Sequence, residues 1–346
     1  MEILHAHRPV SLSGLDDFPL PSVDAARVRD LLGRCPVADQ TPLVSVEAIA
    51  VEAAVAQVWV KDERGRMGLG SFKALGAAYV IARDAENGQA AGKTYVTASA
   101  GNHGMSVAAG AAAFGARAVI HVAETVPDSF ADRLREQGAE VVRSGAIYEE
   151  AQDAARAAAD DNGWTLLSDS SEEGYVDLPW LVMEGYLVLM AETVDHMPTR
   201  PTHIFLQAGV GGLAAACAAY ARTHWGNAPR IVVVEPDAAP ALHGSIRSGK
   251  AVTTSGPVSA MGRLDCKTPS LIALKGLARD ADDYVLITEG EAQAGAGTAM
   301  VAGLASTPSG AAGIAALLAA GDEDREVLGL APTSVVLCIV SEGPEA

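Results

Sequence analysis

Apolar residues along the chain fall into short unbroken runs more often than into strict alternation. The clearest runs lie at 94–97, 118–122, 140–143, 203–207, 231–235, 284–288 and 335–340, with a further one near 58–61. They are rich in β-branched residues, and a strand that is apolar on both sides is covered on both faces, as in a parallel sheet. Ala-rich stretches with helical spacing separate them, at 72–83, 104–114, 129–137, 148–161, 213–224 and 310–320. This strand–helix–strand rhythm predicts an α/β protein of two doubly wound, open-sheet lobes. One strand group falls between 84 and 193 and the other begins at Thr202, while the strand near Val58 precedes both. We therefore expect residues 1–83 and 194–346 to form a large domain and 84–193 a smaller domain inserted into it.

Composition fits this picture. The 346 residues exceed what one compact core usually holds. With 49% hydrophobic and 20% charged residues a large core is available, and at 5% aromatic that core is aliphatic. The net charge of -18 argues against nucleic acid or an anionic membrane surface as a partner. The acids are scattered, as in Asp160-Asp161, Glu172-Glu173 and Asp282-Asp283, which reads as a solvated surface. Cys35, Cys217, Cys266 and Cys338 form no Cys-x-x-Cys pair, and no His stands at metal spacing, so no metal site is expected. Cys217 and Cys338 lie in apolar runs as buried thiols, and a reducing cytoplasm is the simplest compartment. The N-terminus lacks the basic-then-apolar order of a signal peptide. The uncharged run 292–321 is long enough to cross a bilayer. Its Ala, Gly, Ser and Thr content and Pro308 instead predict two buried helices around a tight loop, and no membrane partner.

Three segments carry candidate chemistry. Lys73 ends Gly70-Ser71-Phe72-Lys73. Ser71 is expected to cap a helix opening at Phe72, because its hydroxyl can accept a free backbone N–H. A lysine in the first turn is disfavoured as an ammonium, which lowers its pKa and suits a Schiff-base lysine. Lys73 could otherwise be an ordinary surface lysine, but Phe72 and the apolar face of Leu75, Ala78 and Tyr79 surround it in sequence.

The second segment, Ser99-Ala100-Gly101-Asn102-His103-Gly104, follows a strand and precedes a helix of small residues. Such a turn presents backbone N–H groups to an anion, and Asn102 can donate to a phenolic oxygen. A plain glycine turn would leave the Ser, Asn and His between the glycines unexplained. The third, Gly209-Val210-Gly211-Gly212-Leu213, follows a strand and opens a helix, the geometry of a phosphate cradle.

An amine, a polar loop and a phosphate cradle together meet the needs of a pyridoxal 5'-phosphate site. One alternative uses the third segment differently. Gly209-x-Gly211-x-x-Ala214 matches the dinucleotide fingerprint, with Glu235 placed as a ribose acid, so an NAD-binding Rossmann enzyme also fits that stretch. It leaves Lys73 and Asn102 without a role.

With these segments in order, residues 41–343 resemble the tryptophan-synthase-β-like (fold type II) family of pyridoxal phosphate enzymes. Thr41-Pro42-Leu43, Val234-Glu235-Pro236 and Ser309-Gly310-Ala311-Ala312-Gly313 also look like family segments. Within the family the chain looks most like the diaminopropionate ammonia-lyases. That likeness rests on Gly68-Leu69-Gly70-Ser71-Phe72-Lys73, on the stretch from Glu173-Gly174-Tyr175 to Glu184-Gly185-Tyr186, on Met261 to Ser270, and on Ser341-Glu342-Gly343 after a strand.

The resemblance implies that Lys73 forms the Schiff base and moves the substrate's Cα proton, with Phe72 beside it. Gly209, Val210, Gly211, Gly212 and Leu213 would hold the phosphate, Asn102 the ring hydroxyl, and Ser341 the pyridine nitrogen. Ser99, Ala100, Gly101 and His103 would line the substrate. A neutral Ser341 does not force ring protonation, which favours loss of a β-substituent over transamination.

The ammonia-lyases carry an acid where this chain has Ala100, a departure that points toward the dehydratases. A second family acid is kept as Asp169 in Leu167-Ser168-Asp169-Ser170. Lys73 reaches one face of the cofactor, so a substrate whose proton lies on the other face needs a second base, and Asp169 is the remaining candidate.

The implied activity is a lyase that eliminates ammonia from a small amino acid, with 2,3-diaminopropionate to pyruvate as the first reading. A serine, threonine or 3-hydroxyaspartate dehydratase comes next and a β-replacement synthase third, with preference for an L-substrate. The family also implies a homodimer. A binding protein without turnover is disfavoured by the intact set of Lys73, Asn102 and Gly209 to Gly212.

Overall fold

A computed structural model describes residues 1–344, in which the strands form two sheets. Numbered along the chain they are β1 (Glu2–His5), β2 (Leu43–Ser45), β3 (Gln57–Asp62), β4 (Thr94–Ala98), β5 (Arg117–Val122), β6 (Glu140–Arg143), β7 (Thr165–Leu166), β8 (His203–Gln207), β9 (Arg230–Pro236), β10 (Asp283–Ile287) and β11 (Val335–Val340). A four-stranded parallel sheet runs β6-β5-β4-β7. A seven-stranded sheet runs β1-β10-β9-β8-β11-β3-β2, parallel except at its two edges.

The apolar runs are the parallel strands. β4 and β8 are buried at every residue, as strands covered by helices on both faces must be. The sequence pattern misses β1, β2 and β7. The first two are antiparallel edge strands of alternating or partial exposure, and β7 has two residues. None therefore has an unbroken apolar run to signal it. The run 292–321 forms the helices Glu289–Val301 and Ala312–Ala319 with a loop between them. Thr288 was expected to end a strand. It instead caps the first of these helices in a capping box with Glu291. No helix among the described residues is long and apolar enough to cross a membrane.

Four charged side chains are buried together at the end of β3. Arg66 donates to Glu63 (2.7 Å) and to both oxygens of Glu192 (3.0 and 2.7 Å), and Lys61 donates to Glu192 (2.6 Å). All four are at most 4% exposed. Charges so deeply buried persist only when mutually paired and hydrogen-bonded. Arg66 also reaches the Asp39 carbonyl and the Thr41 hydroxyl. The cluster thus anchors the stretch that leads from β3 to Lys73.

Candidate active site

The candidate residues converge because of strand direction. Segment 99–102 follows the C-terminal end of β4, Asp169 follows β7, the 209–213 cradle follows β8, and Ser341 follows β11. In open parallel sheets the carboxyl ends of the strands open onto the ligand crevice. Lys73 follows β3 through a short 3-10 segment and opens the helix Lys73–Glu86. Its approach is tied to the end of β11, since Phe72 N–H donates to the Ser341 carbonyl (3.1 Å) and Gly343 N–H to the Gly70 carbonyl (2.9 Å).

Two local expectations are corrected here. The helix opens at Lys73, not Phe72, and Ser71 does not cap it, since its buried hydroxyl has no hydrogen-bond partner. The Lys73 amine is not lowered either. Burial is the largest influence and pulls it down, but the charge of the Asp169 carboxylate and its hydrogen bond act against burial, and the ammonium is held well above the ordinary lysine range. A full negative charge in contact outweighs the half charge of a helix end. Burial pushes Asp169 up in turn, but Lys73 and then His103 outweigh it and hold the carboxyl well below its ordinary range. Lys73 Nζ donates directly to Asp169 Oδ2. The ammonium also stands 5.2 Å from the Phe72 ring and 5.9 Å from the Tyr186 ring, which meet edge to face.

The 209–213 segment has the shape of an anion cradle. It runs into the 14-residue helix Gly212–Trp225, whose first amides have no partner within the helix. Gly211 has φ +98°, which L side chains rarely adopt. A Cβ on Gly209 would lie 3.0 Å from Cys266 Sγ and 3.1 Å from the Arg263 carbonyl, so a larger residue would have to push the 263–266 loop back by a few tenths of an ångström. Burial pushes the Cys266 thiol up to about 12. It is therefore a protonated packing group and not a nucleophile at neutral pH.

The Met261–Ser270 stretch docks the Asp169 loop. Ser270 N–H donates to the Val210 carbonyl (3.0 Å), while Ser171 N–H donates to Ser270 Oγ (3.1 Å) and the two hydroxyls lie 2.8 Å apart. The cradle, the loop over it and the Asp169 segment are thereby one hydrogen-bonded unit.

In the β4 turn, Ser99 Oγ accepts the Gly101 N–H (3.2 Å), and Ala100 is half-buried against the core. Asn102 opens the helix Asn102–Ala113 and donates through Nδ2 to Glu342 Oε2. His103 turns into the protein, 6% exposed, with Nε2 2.7 Å from the Leu167 carbonyl. A carbonyl only accepts, so the ring proton sits on Nε2, and burial lowers the imidazole pKa. Ser341 Oγ lies 3.2 Å from Gln207 Nε2, from which it accepts, leaving its own O–H free to donate.

Tyr186, Thr307 and Glu342 were not expected at the site. Glu184-Gly185-Tyr186 and Ser341-Glu342-Gly343 were visible as family-like stretches, but nothing in the sequence marked Thr307.

Glu235 is fully buried, and its carboxyl oxygens accept the N–H groups of Leu242 (2.8 Å) and His243 (2.7 Å). It caps the helix Ala241–Ser248 and is closed to a ribose, which removes the dinucleotide reading of this stretch.

The features of the site fit pyridoxal phosphate: a cradle that is tight even for a Cβ, amides at a helix start with no partner within the helix, and an amine beside two aromatic rings. The sequence profile described as "Pyridoxal-phosphate dependent enzyme" matches residues 36–342, and the chain belongs to this family. Diaminopropionate ammonia-lyase of Escherichia coli (strain K12) is 30% identical over 337 residues, covering 88% of this chain and 84% of the relative. L-threonine ammonia-lyase of Geobacter sulfurreducens is 32% identical over 280 residues, 79% of this chain and 64% of the relative. Among solved structures, the Escherichia coli diaminopropionate ammonia lyase in complex with an aminoacrylate-PLP azomethine reaction intermediate superposes with a TM-score of 0.89. It is 28% identical, covering 99% of this chain and 93% of that one.

Proposed function

We propose that the protein is a lyase that removes ammonia from a small amino acid by α,β-elimination, with 2,3-diaminopropionate as substrate and pyruvate and ammonia as products. The observation that carries this reading is the contact between Lys73 and Asp169. Bound pyridoxal phosphate supplies the electron sink that makes a Cα proton acidic. With its nitrogen engaged by the cofactor Lys73 would carry no ammonium charge, and as a neutral amine its Nζ would take that proton while the rings of Phe72 and Tyr186 shield it from water. Asp169 stays ionised at neutral pH, because its neighbours hold its pKa low. An ionised carboxylate is a poor proton donor but a good partner for a cation. A β-ammonium group needs no added proton to depart as ammonia, whereas a β-hydroxyl does. Asp169 thus favours the diamine, holding the substrate cation where it holds the Lys73 cation here. The released enamine takes up water and yields pyruvate and a second ammonia.

Ala100 favours a second reading, a serine or threonine dehydratase, since it removes the acid found in the ammonia-lyase loop. With no carboxylate there, Asp169 is also the candidate base for the opposite enantiomer, and the L-form should be preferred. In this reading residues 1–83 with 194–346 form the large lobe and 84–193 the small one, and Lys73 and Asp169 face each other across the cleft. The cytoplasm suits four free cysteines. A homodimer suits the exposed apolar side chains Val51, Met300 and Val301 on neighbouring helices.

The deciding experiment assays 2-oxo acid from L- and D-diaminopropionate, L-serine and L-threonine with wild type and Asp169→Asn. Fastest turnover of L-diaminopropionate is the expected outcome, with turnover of the D-form lost by about 10²-fold or more in the variant, the scale of a lost acid–base group. Faster turnover of the hydroxy amino acids would move the protein to the dehydratases. Unchanged turnover of the D-form by Asp169→Asn would remove Asp169 from the mechanism.

A further inference from the structure

Glu342 directly follows Ser341 and is 5% exposed, yet the reaction described above gives it no part. Its carboxylate joins elements from both sheets. Oε1 accepts the hydroxyl of Thr307, in the loop between the helices Glu289–Val301 and Ala312–Ala319, and Oε2 accepts the side-chain amide of Asn102, which follows β4. The Arg263 guanidinium stands 3.7 Å from the same Oε2, and a Cβ built on Gly101 would lie 3.5 Å from it. The carboxylate's charge is therefore balanced where it meets Asn102. The main chain is fixed too, since the Glu342 carbonyl accepts the Ser306 hydroxyl (2.6 Å) and Glu342 forms a β-bridge with Ser71, two residues before Lys73.

A carboxylate can only accept hydrogen bonds. It admits one orientation of the Asn102 amide, with Nδ2 toward Glu342, whereas a neutral amide at 342 would tolerate both. Nδ2 carries two hydrogens in one plane. With one committed to Oε2, the second is held in a fixed direction. We infer that Glu342 is a positioning residue: it orients the Asn102 amide so that its second N–H is presented to the phenolic oxygen of bound pyridoxal phosphate. This rests on the proposed pairing of Asn102 with that oxygen. A donor fixed at the phenolic oxygen favours its anionic form and keeps the proton on the neighbouring imine nitrogen. The loaded enzyme reports that equilibrium through its visible absorption band and the pH at which the band is lost.

The test compares wild type, Glu342→Ala, Glu342→Gln, Asn102→Ala and the Glu342→Ala/Asn102→Ala double variant. Two quantities are read: the dissociation constant of the cofactor and the pH titration of the visible band. Glu342→Ala should weaken cofactor binding about tenfold, as expected for loss of a charge-assisted bond, and shift the titration in the same direction as Asn102→Ala. The double variant should be no worse than Asn102→Ala alone. Glu342→Gln keeps the shape but not the acceptor-only constraint, and should move the titration part of the way. A spectrum that responds to Asn102→Ala but to neither Glu342 variant would overturn the positioning role. So would additive losses in the double variant. A Glu342→Gln protein indistinguishable from wild type overturns it even where the alanine variant does not fold. If Asn102→Ala itself changes neither quantity, the Asn102 assignment fails and the inference falls with it.

Discussion

In the cofactor-free protein the contact between Lys73 and Asp169 should be measurable as a coupling free energy. The two side chains keep 22% and 18% of their exposure, so they are neither a surface pair nor a fully desolvated one. Exposed pairs are worth ~1 kcal/mol or less, while removing one partner of a buried pair costs about 3–5 kcal/mol. Between these limits, Lys73→Met and Asp169→Asn should each cost about 2–3 kcal/mol. The double variant, with no stranded charge, should cost about as much as either alone, a coupling of about 2 kcal/mol. Urea unfolding of the four cofactor-stripped proteins, followed by circular dichroism, closes the cycle. The pH dependence has a definite sign. Asp169 is depressed, so its share is present above the unfolded carboxyl value of about 3.9 and is lost as pH falls toward the folded value. Lys73 is raised, so its share is present below about 10.4 and is lost as pH rises toward the folded value. A cycle at pH 7 therefore sits on a plateau. Coupling under about 0.5 kcal/mol, the usual error of additivity, would refute a direct ion pair.

Other perturbations test the surroundings. Gly209→Ala places a Cβ 3.0 Å from Cys266 Sγ and 3.1 Å from Leu264 Cα, which overpacking scales put at about 1–3 kcal/mol. A cofactor titration of this variant should show weakened binding. Glu192→Gln leaves Lys61 and Arg66 with Glu63 as their one carboxylate partner in the cluster, and should cost about 3–5 kcal/mol in urea unfolding. Burial pushes the Glu235 carboxyl up to about 8 against the pull of the Leu242 and His243 amides. The folded state then holds a proton that the unfolded state has released, so this group's share of stability declines from about pH 4.3 to about 8. Glu235→Gln should flatten that part of the stability profile, and an unchanged slope would argue that the carboxyl is ionised throughout.

The parts of the site legible in the sequence were those fixed by local chemistry. The 209–213 glycines and the 99–104 turn each sit between a readable strand and a readable helix, so their place at strand ends followed from the pattern. What could not be read depended on contacts between distant segments. The raised amine of Lys73 comes from a residue 96 positions away, and the arrest of Asn102 from one 240 positions away. Ser71 had the composition of a cap, yet the Phe72 and Gly343 amides tie this segment to the end of β11, and the backbone never takes up the capping geometry. Likewise Glu235 matched a ribose acid by spacing, and only its burial against the helix Ala241–Ser248 reveals a helix cap.

The order of strands in the large sheet bears on how the protein is made. β11 lies between β8 and β3 and pairs in parallel with both, yet among the strands of the described residues it is the last to leave the ribosome. Until it emerges, β3 and β8 present unpaired backbone edges to each other across an empty slot, and such edges are templates for aggregation. The four strands of the smaller sheet are complete by Leu166 and can assemble while the slot is still open. A ribosome stalled before β11 is made would thus release a chain with one finished sheet, one sticky sheet, and neither Ser341 nor Glu342 in place.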